Sequence, residues 1–363
     1  MNADETVQMT SVLPTKEFSI GESCHVRGWD QCRAALSGRE LVSDPLRAGL
    51  ASETTNNLLL MDGDSHQEVR RLLGSYFTRT RLDQLALRIE NTSQKCVKSV
   101  LGKSDADLVM DLAEPIVLEG ILSFMDVPDA HRVKLAGLSR EMLGMLEPNL
   151  SDSMRLRVRN SAMRAALIFE RDGVTGRATG LHAVLEEAAQ NGSISLKLAR
   201  STPVVVLHGG YENPLNQLGC VIAWAVENPE KFHKAAQSTP AVLFEEVIRV
   251  CSPVRMVARF AAADGLFVDR PIKRGELVWV DLQSANLDPE RFPSPGDLDL
   301  TSKRSHLGFG HGPHLCPGTA LARIEGQALI RALMSLPSDL LREFTVQWRD
   351  GVVAHGPLAV VRR

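Results

Sequence analysis

The residues with the most chemical content lie close together: Phe309-Gly-His-Gly-Pro-His-Leu-Cys-Pro-Gly318, followed by Thr319-Ala-Leu-Ala-Arg-Ile-Glu325. Gly310 and Gly312 permit backbone angles and close approaches that a Cβ would forbid. Pro317 suits the first position of a helix, where no backbone N–H is needed, and Leu321, Ile324 and Ala328 continue an apolar helical face. The spacing predicts a glycine-rich loop that delivers Cys316 to a helix N-terminus. The positive end of the helix dipole and its unpaired N–H groups lower a thiol pKa there, and a thiolate is what a soft metal centre takes as ligand. Two other readings of a cysteine at a helix start stand beside metal ligation: a free, buried thiol in a tight turn, and a reactive nucleophile.

Such a loop needs a scaffold, and the pattern from about Arg81 to Leu243 is mostly helical. Asp111–Phe124 carries a broad apolar stripe. The stretch from about Ile194 to Val226 is unusually apolar through Val204-Val-Val-Leu207, and a helix apolar on all sides belongs in the middle of a protein. Strand-like pieces are short and peripheral: Glu276–Val280 after a Lys-Arg-Gly turn, and Leu358–Val361. Residues 289–305 are rich in Pro, Asp and Arg and predict a long irregular connection, which in compact proteins tends to be functional.

Composition narrows the class. The 363 residues are 44% hydrophobic and 23% charged, enough to bury a cofactor-sized cavity. A formal charge of −3 and 5% aromatics give no case for nucleic-acid binding. Met1–Lys16 is polar and acidic, unlike a signal peptide. No apolar run of about 18 residues predicts a membrane span. Six scattered cysteines without a C-x-x-C pair suggest neither a zinc knuckle nor a disulfide framework, and suit a reducing cytoplasm. With no repeat or long linker, one continuous domain over residues 1–363 is expected.

The spacing of Phe309, Gly312, His314, Cys316 and Gly318 resembles the haem-binding loop of the cytochrome P450 family. Further segments follow in that family's order. Glu246-Val-Ile-Arg249 is similar to its E-x-x-R pair, which is buried and stabilises the proximal core. The third partner of that pair stays open among Arg291, Arg304 and His306. Ser252–Arg259 looks like the strand whose arginine meets a haem propionate, a role that Arg259 fits better than Arg255; a guanidinium fork can bond a carboxylate bidentately. Ile272–Glu276 and Ala285-Asn-Leu-Asp-Pro289 resemble the hairpin and the Asn-Arg-Asp-Pro element that follow, with Leu287 in place of Arg. Asp64–Arg71 resembles the H-x-x-x-R helix, which places His66 and Arg70 one turn apart. The resemblance implies a mainly α fold with small peripheral β-sheets, the cytochrome P450 fold. It implies haem b (iron protoporphyrin IX) held by Cys316, with His66, Arg70, Arg259 and His314 at the propionates and Phe309, Gly310 and Gly318 shaping the loop.

Departures from the family concentrate on the central helix. Leu207-His-Gly-Gly-Tyr-Glu-Asn-Pro214 resembles the oxygen-activation motif. Gly209 and Gly210 leave room for dioxygen, Glu212 stands at the acid position, and Asn213 replaces the usual Thr. Pro214 cannot donate to the carbonyl of Gly210 and crowds it, so the helix is expected to open there. The Asn213 carboxamide both donates and accepts hydrogen bonds but does not ionise; Glu212 is the candidate for proton delivery. Pro317 stands where many bacterial members carry Leu. Only about 25 residues precede Val26–Cys32, so the family's first helix is expected to be missing or replaced.

The resemblance implies an oxidoreductase, a monooxygenase that uses dioxygen. The chain has no flavin, nicotinamide or iron–sulfur fingerprint, so a ferredoxin and a ferredoxin reductase (or equivalent) are implied as electron donors. They would dock near Cys316, where Arg70, Arg71 and Arg79 could attract an acidic partner. Substrate contacts are expected from Pro45–Asp62, Val205–Tyr211, Val254–Val257 and Val352–Gly356. Apart from the polar run Ser52–Asn57 these are largely apolar, which fits a hydrophobic or amphipathic small molecule of secondary metabolism. Hydroxylation or epoxidation is the first reading. Oxidative coupling, cyclisation or desaturation is the second, followed by a peroxide-using or non-redox haem enzyme and by a haem-binding sensor.

Overall fold

The computed structural model describes residues 24–51, 57–174, 176–301, 304–349 and 351–363. The expectations for Met1–Lys16 and for residues 52–56 of the polar run fall outside them. Fourteen α-helices follow in chain order among the described residues. The first seven are α1 (Trp29–Ala35), α2 (Asp64–Tyr76), α3 (Arg79–Leu101), α4 (Glu114–Phe124), α5 (Asp129–Glu141), α6 (Asp152–Val174) and α7 (Gly180–Gln190). The rest are α8 (Leu196–Gly209), α9 (Glu212–Glu227), α10 (Pro229–Ser238), α11 (Pro240–Cys251), α12 (Leu282–Asn286), α13 (Thr319–Met334) and α14 (Ser338–Leu341).

The helices start where local chemistry favours it. The side chain of Thr78 accepts from Arg81 N–H at the start of α3, Ser195 accepts from Leu198 N–H before α8, and Asp281 accepts from Ser284 N–H before α12. Each bond satisfies one of the donors that a helix leaves open. Pro229 and Pro240 begin α10 and α11, where a missing N–H costs nothing. From Pro214 to Val226 every residue of α9 is buried, which is the all-round burial its sequence requires. This helix packs on α10, α11 and α13.

The sheets are small and lie at the edge. Strands β1 (Cys24–Val26), β2 (Leu41–Val42), β3 (Met256–Ala261) and β6 (Leu277–Asp281) form one sheet in the order β1-β6-β3-β2. Within it β1 runs parallel to β6, while β3 is antiparallel to β6 and to β2. Two hairpins pair β4 (Gly265–Phe267) with β5 (Arg270–Ile272), and β7 (Phe344–Trp348) with β8 (Pro357–Arg362). The expected strands at 276–280 and 358–361 are β6 and β8. No described helix is long and apolar enough to cross a membrane.

The E-x-x-R pair organises the irregular connection. Glu246 and Arg249 are 3% and 1% exposed and paired at 2.8 Å. Arg249 also donates to the carbonyls of Asn286, Pro295 and Asp297, and its guanidinium lies over the Phe292 ring. Glu246 accepts from Asp299 N–H. The third partner is therefore backbone. Arg291 lies over the Trp29 ring, Arg304 pairs with Asp299, and His306 pairs with Glu245. Five donors on one planar group can hold several carbonyls at once, so a single guanidinium ties down a segment that has no secondary structure of its own. Asn286 completes the clamp by donating to Ser252 Oγ and accepting from Leu307 N–H.

Candidate functional site

The loop from Leu307 to Gly318 is shaped by its glycines. Gly310 and Gly312 have φ of 75° and 69°, and a Cβ on Gly312 would sit 2.4 Å from the carbonyl oxygen of Leu36. Cys316 N–H donates to Phe309 O at 2.9 Å and Thr319 Oγ1 donates to Cys316 O at 2.8 Å. Gly318 N–H donates to the Cys316 sulfur. The half-buried Cys316 thus stands ahead of α13, which begins at Thr319 with Gly318 as its cap. Pro317 lies before the helix, not at its first position, because the chain needs a further turn to bring Gly318 N–H back to the sulfur.

Burial raises the thiol pKa of Cys316, while the bond from Gly318 and the charge of Arg70 oppose the rise. The expected lowering is thus present as a local effect and is outweighed by desolvation of the thiolate. A bound cation would reverse this balance, since a coordinating thiol is deprotonated outright. Among the described residues no His, Cys, Asp and Glu cluster could hold a metal, so Cys316 is a single protein donor.

Next to this loop the structure gathers the basic residues expected there. The rings of His66 and His314 stack with centroids 4.3 Å apart. Arg70 donates to Leu315 O and acts electrostatically on Cys316. His314 Nε2 pairs with Asp62 Oδ1 at 2.8 Å. Arg259, 8% exposed, faces the charge of Asp62 and donates to Ala258 O. Burial, then the neighbouring His314 and Arg70, hold His66 down at about 4, which leaves it neutral near pH 7. Burial pushes Asp62 up, but the bonds from His314, Ser43 N–H and Asp44 N–H outweigh it and hold the carboxyl at about 2.

The corner fits the carboxylates of a haem. Arg259 and the hydrogen-bonding His314 face a single acid, Asp62, while Arg70 lies against the cysteine loop, and no described carboxylate lies within ion-pair distance of the buried Arg259. A buried guanidinium is costly without an anion, and two propionates would supply the missing charge. The half-buried Cys316 sulfur beside this corner completes a donor set suited to iron.

The central helix breaks where Pro214 predicts it. α8 ends at Gly209 and α9 begins at Glu212, with Tyr211 N–H reaching back three residues to His208 O. A Cβ on Gly209 would meet nothing within 4 Å, whereas one on Gly210 would lie 2.2 Å from the Ile121 side chain. Gly209 therefore borders open space and Gly210 is a packing contact. Asn213, one turn beyond Gly209, is half-buried between buried neighbours and makes no hydrogen bond among the described residues.

Glu212 is 2% exposed and held on three sides. It accepts from Gly144 N–H at 2.8 Å and from Arg349 at 3.1 Å, and it lies 3.4 Å from His208 Nε2. Burial raises its pKa, and the Gly144 bond and Arg349 restrain the rise. Tyr211 donates to Glu114 at 2.5 Å, and Glu114 pairs with Arg140 at 2.6 Å. These anchors were not foreseen: Arg349, Gly144, Glu114 and Arg140 are far from the motif in sequence. Asp62 was foreseen only as the end of a substrate segment; its proximity to His66 was the available signal.

Of the arginines expected to face a partner, Arg71 pairs with Glu68 and Arg79 with Asp83 on exposed helix surface, while Arg70 is half-buried and turned to the loop. Of the expected substrate segments, Val254 bridges to Ala354, and Val352 and Val353 pack with Met256 and Trp279.

Comparison with known proteins finds cytochromes P450 at the level of sequence and of fold. The family model described as Cytochrome P450 matches residues 239–351. Cytochrome P450 107B1 of Saccharopolyspora erythraea is 29% identical over 326 residues, covering 88% of this chain and 80% of that protein. The 6-deoxyerythronolide B hydroxylase of the same organism is 28% identical over 354 residues, covering 91% and 85%. Among solved structures, the bacillaene polyketide synthase cytochrome P450 PksS of Bacillus subtilis matches with a TM-score of 0.78 at 25% identity, covering 93% of this chain and 89% of that one. P450BioI in complex with hexadec-9Z-enoic acid ligated acyl carrier protein has the same fold, with a TM-score of 0.80 at 23% identity, covering 93% and 91%.

Proposed function

The chain belongs to the cytochrome P450 family, and from that premise we propose that it is a haem-thiolate monooxygenase hydroxylating or epoxidising a hydrophobic or amphipathic small molecule in bacterial natural-product biosynthesis. The observation that carries this reading is the half-buried Cys316 with Gly318 N–H on its sulfur, set beside His66, Arg70, Arg259 and His314. All residues of the chain are read as one catalytic domain.

Haem b, when bound, supplies the dioxygen chemistry. Cys316 would be its ligand, and Gly318 N–H would fix the thiolate. Arg70, Arg259 and His314 would hold its carboxylates, with neutral His66 stacked on His314. Phe309 and Gly310 hold the loop that presents the sulfur. Gly209 leaves room for dioxygen and substrate, Gly210 closes the helix onto Ile121, and Asn213 presents a carboxamide able to position a water. Glu212, kept from bulk solvent, is the acid nearest to that amide in sequence and the candidate proton source.

Electrons would come from a ferredoxin and its reductase or an equivalent pair, docking on the Cys316 side. A cytoplasmic location is part of the proposal, and six free cysteines suit a reducing compartment. One structural neighbour is found with a fatty acid ligated to an acyl carrier protein, and a carrier-bound acyl chain is a substrate form that fits the same reading.

The test is spectroscopic and then catalytic. The reduced carbon monoxide complex of the haem-loaded protein is expected to show the thiolate signature, and Cys316→Ser to lose it. Substrates found by haem spin-state shift should then turn over with reductant and redox partners. Turnover with peroxide alone would assign the peroxide-using class instead.

A second reading is favoured by one observation: Glu212 is engaged by Gly144, Arg349 and His208, and Asn213 offers no hydroxyl. With such a relay the substrate's own groups would assist proton transfer, as in coupling, ring closure or desaturation.

A further inference from the structure

Helix α6 presents an apolar stripe to solvent. Leu156, Met163 and Leu167 are 57%, 53% and 59% exposed, and with exposed Asn160 they recur at helical spacing along one line. The line runs for three turns, about 16 Å at 1.5 Å per residue. Single exposed leucines are ordinary, but an aligned set marks a contact surface.

The borders of the stripe are basic. Between Ser153 and Phe169 the helix carries Arg155, Arg157, Arg159 and Arg164 and no acidic residue. Arg164 is paired with Glu141, and Arg155 donates to Leu150 O. Arg157 and Arg159, which flank the stripe on opposite sides, have no partner among the described residues. By contrast, the acids near the helix end are engaged, Glu170 by Arg200 and Asp172 by His131.

We propose that this face of α6 docks the acidic helix of a carrier protein that brings the substrate as a tethered acyl chain. The proposal rests on the monooxygenase reading above and names the form in which its substrate arrives. Charge complementarity selects the partner: two unpaired guanidiniums astride an apolar line match a helix with apolar residues flanked by acids. Position agrees, because α6 packs on α8, the helix that carries Gly209 at the site. A second copy of this chain is disfavoured, since a two-fold contact would set arginine against arginine. A lipid surface is a poorer match: the stripe is one residue wide, contains Asn160 and carries no aromatic residue, whereas interfacial helices bury a broad apolar face.

The experiment uses the haem-loaded enzyme and a hexadecenoyl acyl carrier protein as probe, followed by fluorescence anisotropy. Binding is expected to weaken with added salt. The double variant R157E/R159E should weaken it by roughly tenfold or more. The spin-state shift caused by free hexadecenoic acid should stay the same, because neither arginine belongs to the site. No binding, or equal binding by the double variant, overturns the proposal. So does arginine-dependent binding to phosphatidylglycerol vesicles in place of the carrier, or concentration-dependent dimerisation through this face. Failure of the monooxygenase reading is seen separately, as absence of the thiolate signature in the same preparation.

Discussion

Glu212 and Arg349 form an ion pair 3.1 Å apart, the acid buried and the guanidinium partly so, with side-chain exposures of 3% and 18%. It joins the acid of the broken central helix to the segment after β7, so the distal side of the site and the C-terminal part of the fold are one mechanical unit. Gly144 N–H bonds the same carboxylate oxygen as Arg349, and His208 stands by the other.

Replacing Arg349 with Met removes the cation and leaves burial to dominate the Glu212 carboxyl, whose pKa is already raised. The acid should then hold a proton more readily than in wild type, and the fraction of electrons lost to peroxide should become pH-dependent across the enzyme's working pH range. Coupling of product to electrons, followed across that range in wild type and variant, checks this. Identical flat profiles would remove Glu212 from proton delivery.

Asn213→Thr restores a hydroxyl at the half-buried position one turn beyond Gly209. If the amide is a weakened relay, the variant should leak less peroxide and shift product identity toward simple oxygen insertion. Unchanged products and leakage would mean that the substitution carries no mechanistic weight, and the coupling or desaturation reading would fall with it.

Much of the proximal side was legible in the sequence because it is local. Cys316, its glycines and Phe309 lie in one loop, and His66 and Arg70 lie on one helix turn. The break at Gly210 was legible for the same reason, as Pro214 removes a bond within its own helix. What could not be read depends on long-range geometry. The choice of backbone carbonyls by Arg249, the capture of Glu212 by Arg349 and Gly144, and the pairing of His314 with Asp62 each join segments far apart in the chain. The Cys316 thiol was misjudged for a related reason: helix-end and hydrogen-bond effects can be foreseen from neighbours, whereas the burial that outweighs them comes from the whole fold.

Arg249→Leu should destabilise the protein severely. It strands the buried carboxylate of Glu246 and releases the carbonyls of Asn286, Pro295 and Asp297, and breaking one side of a buried pair costs on the order of 3–5 kcal/mol. The irregular connection leads directly into the cysteine loop, so haem retention should fall together with the melting temperature. The double variant Glu246→Leu with Arg249→Leu should regain part of the stability but not the retention, because the charge penalty is removed while the loop stays untied. Thermal unfolding and haem content after dialysis measure the two effects.

Acid sensitivity should come from neutral buried histidines. Burial lowers His208 to about 4 and His355 to about 3 from an ordinary 6.5. Below pH 6.5 the unfolded chain binds protons that these rings refuse in the fold, so stability is full above that pH and falls as pH drops toward 4 and 3. Asp62 adds a later loss, since its folded value of about 2 lies below the usual 3.8 and its contribution disappears between them. From pH 7 to 4 each histidine would contribute a loss of about 2–3 kcal/mol at most. His355 is fully buried, neither ring nitrogen is bonded among the described residues, and its ring is stacked on Trp348 at 5.0 Å. In His355→Gln the fall in melting temperature between about pH 6.5 and 5 should be visibly shallower than in wild type. Equal slopes would show that this ring is protonated in the folded protein, and that its neutral burial is not a source of the acid sensitivity.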